Sequence, residues 1–487
     1  MNTFCRFILL GTLLLVPPAL YAQPAKTSEP VPAPPPPDCS HCQEKLLTLQ
    51  ALRQALPADW AVQTEREPVF GGEMLVVQAG QKNPQTLVLV HGLGQNGFTD
   101  WISVMPQLAR RYHVITFDFP GFGYSSSPQG KYSPSNYARV LSGVLARHAK
   151  GRAIVVGHSM GGAVSLRLAS DYPTQLDKLV LVDAAGILHR TAFVKHSARL
   201  PVTVEQMPGF LKNAVAMVQG FGIAAVENVA GFPDPTRLLG ASDLLWAGVL
   251  ANRTNANAAL ALVEEDFSAA IPTLQTPTWI IWGAADTIAP LRTGRMLAYR
   301  LPQAQLLVVP GVGHTPMDLA TTSIFYPQLE RALNNAPQAE SVVQAPPGAT
   351  DDLQCRGETD RVYSGRFREV MIDGCKAVKL LNLSAERIVI RDSNVEALNL
   401  QVRSHGTAVE VVDSTFVATA GEISGSVAIR ADNARVDLAG IKLDARQTVF
   451  EAQRASRLVG SSLAIRCPAY EGTWQGSESI ELGVLAP

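Results

Sequence analysis

Residues 154–169 read IVVGHSMGGAVSLRLA. An apolar, β-branched run over Ile154–Val156 breaks at Gly157, passes through a histidine, a serine, a methionine and two more glycines, and resumes from Ala163 at helical spacing. The stretch predicts a strand, a tight turn and a helix, with Ser159 at the turn. Gly157 and Gly161 suit that turn because side chains there would collide as the backbone folds over itself, and Gly162 lets the helix pack close. Ser159 is thereby presented at a sheet edge, at a helix N-terminus that favours negative charge developing beside it.

The surrounding pattern supplies the sheet. Short apolar runs occur at TLVLV (86–90), HVITFD (113–118), AIVVG (153–157), KLVLVD (178–183), TWIIWG (278–283) and AQLLVV (304–309). Each is bounded by glycine, proline or polar turns and most are followed by helical spacing, which predicts an α/β fold with a mostly parallel sheet and helices on both faces. Ahead of it, QEKLLTLQALRQAL (43–56) reads as a short amphipathic helix, and EPVF with EMLVVQAG as a hairpin-like pair around Gly71 and Gly72. Right-handed crossovers place the loops that follow the strands on one edge.

A serine hydroxyl is a poor nucleophile without a base, so a histidine and a carboxylate are expected further along. His314 follows the last strand-like run and Asp286 follows the preceding one. The order Ser159, Asp286, His314 is that expected for this architecture. His314 would take the serine proton and return it to the leaving group, while Asp286 would hold its tautomer. Asp183, at the end of LVLVD, is the competing acid; His158 is expected to point away from Ser159 and pack, and His91 and Asp118 are read as structural. LVLVHGLGQNG provides a glycine-rich bend after a strand, so the backbone N–H groups of Leu93 and Met160 are the expected oxyanion donors.

The segments HGLG (91–94), DFPGFGYS (118–125), GHSMGG (157–162), WGAADTIAP (282–290) and GVGHTPM (311–317) together resemble the α/β-hydrolase superfamily over roughly residues 60–335. The resemblance implies the fold and the Ser-Asp-His set. Its spacing is similar to the capped serine hydrolases, which include esterases, lipases and carbon–carbon bond hydrolases. A serine at the nucleophile position sets the chain apart from epoxide hydrolases and haloalkane dehalogenases, whose nucleophile is aspartate. TPMD (315–318) lacks the aromatic residue often found after the histidine of carbon–carbon bond hydrolases.

Within an expected hydrolase domain of residues 43–335, the alternation is interrupted over about 187–272 by a helical segment rich in Ala, Leu, Val, Phe and Met. This reads as a cap over the site, with Phe210, Phe221 and Trp246 as candidates for lining a substrate pocket. A linker at 336–350 leads into residues 351–487, where the pattern changes to short strands. Asp373, Asp392, Asp413 and Asp432 recur about every 20 residues within the triplets IDG, RDS, VDS and ADN, which suggests a small parallel β-helix, with a β-sandwich as the competitor. The turn aspartates are expected to be structural, because Asp and Asn tolerate left-handed turns.

Residues 1–22 carry one cation, Arg6, an apolar stretch and a small residue at Ala22, the pattern of a secretory signal. A proline-rich spacer with a CSHC motif follows at 23–42. That motif could be a redox pair, half a zinc site or a disulfide; a structural disulfide is preferred, with no metal and one thiol left over among Cys39, Cys42, Cys355, Cys375 and Cys467. A periplasmic or secreted location is expected.

With 487 residues, 47% hydrophobic and a formal net charge of -1, the chain is long enough for two folded units and has no strong field for nucleic acid or an anionic membrane. The sequence-level expectation is a cofactor-free serine hydrolase acting on a small acyl or aromatic ester. A different class, a binding protein docking on glycan or an envelope partner through residues 351–487, is the alternative, although NLQVRSHGTAVEVVDSTF (399–416) has no dense aromatic row for sugars. A β-rich tail that only stabilises the hydrolase domain is the third reading.

Overall fold

In the computed structural model, residues 40–189, 246, 250, 253–335 and 352–485 are described, with side chains from residue 48 onward. The expected signal, the proline-rich spacer, Cys39, the linker at 336–350 and most of the expected cap, including Phe210 and Phe221, lie outside them. The first helix, α1, spans Ser40–Ala55, so it begins within the CSHC motif, earlier than the sequence pattern suggested.

The first sheet has eight strands: β1 (Ala61–Arg66), β2 (Glu73–Ala79), β3 (Thr86–Val90), β4 (His113–Phe117), β5 (Ala153–His158), β6 (Leu176–Val182), β7 (Thr278–Gly283) and β8 (Gln305–Val309). Their order is β1-β2-β4-β3-β5-β6-β7-β8. β1 and β2 pair antiparallel, as do β2 and β4, and every later pair is parallel. Among the described residues, the helices α2 (Met105–Leu108), α3 (Pro134–His148), α4 (Met160–Asp171), α5 (Thr254–Glu264), α6 (Ala270–Thr273), α7 (Leu291–Arg300) and α8 (Thr322–Leu333) accompany it. β3, β4, β5 and β7 are buried at every position, as strands covered on both faces must be, which is why they read as unbroken apolar runs. The strand order reverses around β3 and β5, and a crevice at the carboxyl edge of such a switch point is where ligands bind in open α/β sheets.

The second sheet is a parallel β-helix. Its strands are β9 (Leu353–Arg356), β10 (Val362–Asp373), β11 (Val378–Arg391), β12 (Asn394–Arg403), β13 (Thr407–Val412), β14 (Thr415–Asp432), β15 (Arg435–Ala452), β16 (Ser456–Cys467), β17 (Tyr470–Ile480) and β18 (Gly483–Val484). All pairs from β9 to β16 are parallel, which excludes the sandwich; only β17 and β18, at the end, add antiparallel.

The strands are longer than the short runs suggested because the ladder continues through corners at left-handed residues. One such column is Gly374, Asp392, Asp413 and Asn433, with φ of 63, 46, 47 and 48°. Its amides reach the next rung, Asp392 N–H donating to Val412 O at 3.2 Å and Asp413 N–H to Asp432 O at 2.9 Å. Beside it, hydroxyls cap the following amides: Cys375 N–H donates to Ser393 Oγ at 2.8 Å and Ser393 N–H to Ser414 Oγ at 2.9 Å. The period seen in the sequence is thus a column of turns that Gly, Asp and Asn enter at low cost; of the four aspartates expected there, Asp392 and Asp413 take the corner, whereas Asp373 and Asp432 end their strands and Gly374 and Asn433 turn instead. Phe416 and Phe450, both 0% exposed, help fill the interior, where losing such a ring costs about 3–5 kcal/mol.

Candidate active site

Ser159 sits between β5 and α4 with φ 53° and ψ −119°, a strained geometry for a residue with a Cβ. The flanking glycines make it achievable. A Cβ on Gly157 would stand 2.3 Å from Gly161 O, and one on Gly161 would stand 2.4 Å from His91 O, so both collisions would be with backbone. The strain is held by hydrogen bonds on each side: Ser159 N–H donates to Val182 O at 3.0 Å, and Ser159 O accepts from Gly162 and Ala185 at 3.0 and 3.1 Å.

Three side chains meet at this turn. Ser159 Oγ lies 2.9 Å from His314 Nε2, and His314 Nδ1 lies 2.8 Å from Asp286 Oδ2. The other carboxylate oxygen of Asp286 accepts from Ile288 N–H at 2.7 Å and Ala289 N–H at 2.9 Å. The loop after β7 therefore wraps one oxygen and leaves the second for histidine. This order of bonds requires the proton on Nδ1, which leaves the Nε2 lone pair facing the hydroxyl. Ser159 is 6% exposed and Asp286 7%, so the relay is largely shielded from water.

Of the proposed oxyanion donors, Met160 is the first residue of α4, where helix geometry leaves its N–H without an intrahelical acceptor. Leu93 is half-buried on the loop after β3. That loop runs close to Ser159, since a Cβ on Gly92 would stand 3.0 Å from Ser159 Cβ.

The competing acid is elsewhere in the network. Asp183 follows β6 with φ 44° and is fully buried. Its Oδ1 accepts from Gly283 N–H at 2.8 Å, while Oδ2 is buried without a hydrogen-bond partner. Burial, and then the neighbouring Asp286 carboxylate, push its pKa well above the usual range, which favours the neutral form of Asp183.

His158 packs, as the sequence suggested, but it also has a partner the sequence did not reveal: its Nε2 donates to His314 O at 2.7 Å. Burial, and then the nearby His314, lower its pKa to about 3, so it is a neutral structural donor rather than a base. His91 Nδ1 donates to Gly92 O at 2.7 Å and its Nε2 accepts from Phe119 N–H at 3.0 Å. Asp118 accepts from Phe98 and Tyr124 amides at 2.6 and 2.7 Å. Both organise the loops around the site.

Asp100, absent from the sequence-level candidates, borders this region near Gly92 and His314; burial raises its pKa to about 6. Nothing in its local sequence marks it, because its environment is built from residues distant along the chain. Trp246 is 2% exposed; its Nε1 donates to Asn257 Oδ1 at 2.8 Å, with Lys131 Nζ 4.5 Å above the ring. That is a packed position between α5 and the segment before α3. Among the described residues no group of three His, Cys, Asp or Glu side chains could hold a metal.

A family model described as the alpha/beta hydrolase family matches residues 87–321. The chain is 30% identical over 245 residues to an uncharacterized protein of Mycobacterium tuberculosis, covering 47% of this chain and 70% of that one. It is 29% identical over 255 residues to Lipase 1 of Psychrobacter immobilis, covering 51% and 76%. It is 28% identical over 285 residues to a 2-hydroxy-6-oxononadienedioate/2-hydroxy-6-oxononatrienedioate hydrolase of a Pseudomonas species, covering 55% and 93%. With its fold and this match, the chain belongs to the alpha/beta hydrolase family.

Proposed function

We propose that this hydrolase is an exported serine esterase, with Ser159 as nucleophile, His314 as base and Asp286 as the acid that orients it. The carrying observation is the pair of contacts at His314, 2.9 Å to the serine and 2.8 Å to the aspartate. Ser159 Oγ attacks the ester carbonyl as its proton passes to His314 Nε2. The oxyanion is received by the N–H groups of Leu93 and Met160, each such donor being worth roughly 10²–10³ in rate. His314 then protonates the leaving alcohol, and a water deprotonated by the same nitrogen releases the acid from the acyl-serine.

The near-neutral chain and the lipase names among its relatives support an uncharged acyl substrate. The relative acting on a 2-hydroxy-6-oxo dienedioate makes that class the second substrate series to assay. The buried Cys355–Cys375 disulfide and the N-terminal sequence pattern support export, and no described helix is long and apolar enough to cross a membrane. No cofactor enters this chemistry, and binding of a glycan or envelope partner through the β-helix is a separate reading that the ester assay leaves unaffected.

The test is intact-mass analysis after fluorophosphonate treatment of the wild type, Ser159→Ala and His314→Ala. One adduct per chain, absent from both variants, together with turnover of esters of graded acyl length, is the expected result. Ester hydrolysis retained in full by Ser159→Ala would overturn the assignment.

A further inference from the structure

The β-helix packs against the helix that leaves the acid loop. α7 starts at Leu291, immediately after the loop in which Ile288 and Ala289 bind Asp286 Oδ1. In its first turn, Arg292 reaches across to the β-helix. Nε donates to Thr419 Oγ1 at 2.6 Å, and Nη2 donates to Ala418 O and Asp437 O, both at 3.1 Å. Asp437 Oδ1 lies 3.0 Å from Nη2, the two side chains being 16% and 10% exposed.

An arginine in the first turn of a helix opposes the helix dipole, and a guanidinium withdrawn from water is costly unless its donors are satisfied. Here the satisfying groups all belong to the β-helix. The clamp therefore has a reason only when the two parts are together.

The same helix face continues with Met296 and Arg300, four and eight residues on. Opposite them is Gly440, where a Cβ would stand 2.6 Å from Met296 Cγ and 3.3 Å from Arg300 Cγ. Gly440 belongs to a second column of left-handed corners, Asn382, Asn399, Ala420, Gly440 and Ser462. The first two rungs carry asparagines that bond to each other in an exposed position at 2.9 Å. The last three carry Ala, Gly and Ser, and at Ala420 and Gly440 the column is small enough for α7 to approach. Ala439 and Val459, next to it, are part of the hydrolase core.

A second contact reaches the other acid segment. His189 N–H, in the stretch that follows Asp183, donates to Ser461 Oγ at 2.9 Å. The β-helix thus holds both stretches that leave the two carboxylates.

We propose that the β-helix braces the acid loop of the active site, with Arg292 as the positioning residue that transmits it to Asp286. This rests on the serine-esterase assignment of Asp286. Losing the clamp lets α7 and the Asp286 loop shift, so the Asp286–His314 contact loosens. A weaker relay follows, with substrate binding untouched.

The experiment compares full-length wild type with Arg292→Ala, Arg292→Lys and Thr419→Ala, the last leaving α7 itself unaltered should Arg292→Ala fail to fold. Fluorophosphonate labelling rates and kcat and KM on one ester are measured from pH 5 to 9, beside thermal unfolding. Expected are a labelling rate and kcat about tenfold lower in folded Arg292→Ala at every pH, a smaller loss in Thr419→Ala, partial recovery with Lys, and KM within about twofold. Variants that melt earlier yet keep the wild-type rate overturn the brace and leave the esterase assignment standing; so does a loss confined to KM. A wild type that takes no label overturns the assignment and the brace with it.

Discussion

His158 Nε2 donates to the backbone carbonyl of His314 at 2.7 Å, so the residue that precedes the nucleophile in sequence holds the main chain of the residue opposite it. The two rings lie 5.0 Å apart. The Ser159 turn and the His314 loop are therefore one mechanical unit.

This gives a pH signature. Burial lowers the His158 pKa to about 3, whereas in the unfolded chain it titrates near the usual histidine value of 6.5. Between these values the unfolded state holds a proton that the native state refuses, so the contribution is complete above about 6.5 and declines as the pH falls towards 3. One proton corresponds to about 1.4 kcal/mol per pH unit. His158→Gln, which removes the titration and keeps an amide donor, should flatten the acid side of the stability curve by about that slope. Urea unfolding at pH 4, 5, 6 and 7 measures it, and parallel curves for variant and wild type would mean that His158 charges in the native state.

The two carboxylates make opposite predictions. Asp286 faces His314 and accepts from two backbone amides, while Asp183 is buried, accepts from Gly283 N–H and has its pKa pushed up by burial. Asp286→Asn should lower kcat by roughly 10²–10⁴, because an amide can impose the wrong histidine tautomer. Asp183→Asn is nearly isosteric at a position that does not contact His314, and should leave kcat within a few-fold. If the losses come out reversed, Asp183 is the working acid.

Much of this was legible in the sequence because the signals are local. The strand, turn and helix around Ser159, the β-branched runs and the order of Ser159, Asp286 and His314 are readable from short windows. The turn column of the β-helix was legible as a period, though the strand lengths were not, since a parallel ladder runs through its corners by bonds to residues about 20 positions away. The bond from His158 to His314 and the clamp from Arg292 to Asp437 link residues far apart in the chain. Nothing in either local stretch announces the partner, nor that Ala420 and Gly440, unlike Asn382 and Asn399, stand where α7 packs.

At the turn itself, Gly161→Ala would place a methyl 2.4 Å from His91 O and 2.5 Å from Val90 O. Neither neighbour is a flexible side chain, so the strain falls on backbone that also carries the glycine-rich loop. A loss of about 1–3 kcal/mol is expected from overpacking, together with slower fluorophosphonate labelling as Ser159 and the start of α4 are displaced. Thermal unfolding and labelling on the same sample check both; a variant with wild-type melting and labelling would show that the turn has room to adjust.

The remaining prediction concerns the opposite end of the β-helix. Cys355 on β9 and Cys375, just after β10, form a disulfide 20 residues apart in sequence, and both are fully buried. Closing a loop of that length stabilises the folded state by about 3 kcal/mol, mainly by restricting the unfolded chain. Cys355→Ser should therefore lower stability by about that amount, and reductant should bring the wild type down to the variant without moving the variant further. Because α7 contacts β14 and β15 rather than the first rungs, labelling of Ser159 should proceed at the wild-type rate in the oxidised and reduced proteins at temperatures where both stay folded. Melting curves that do not respond to reductant would mean that the bond is not formed in the purified protein, and a drop in labelling on reduction would mean that the β-helix transmits changes from its first rung to the active site.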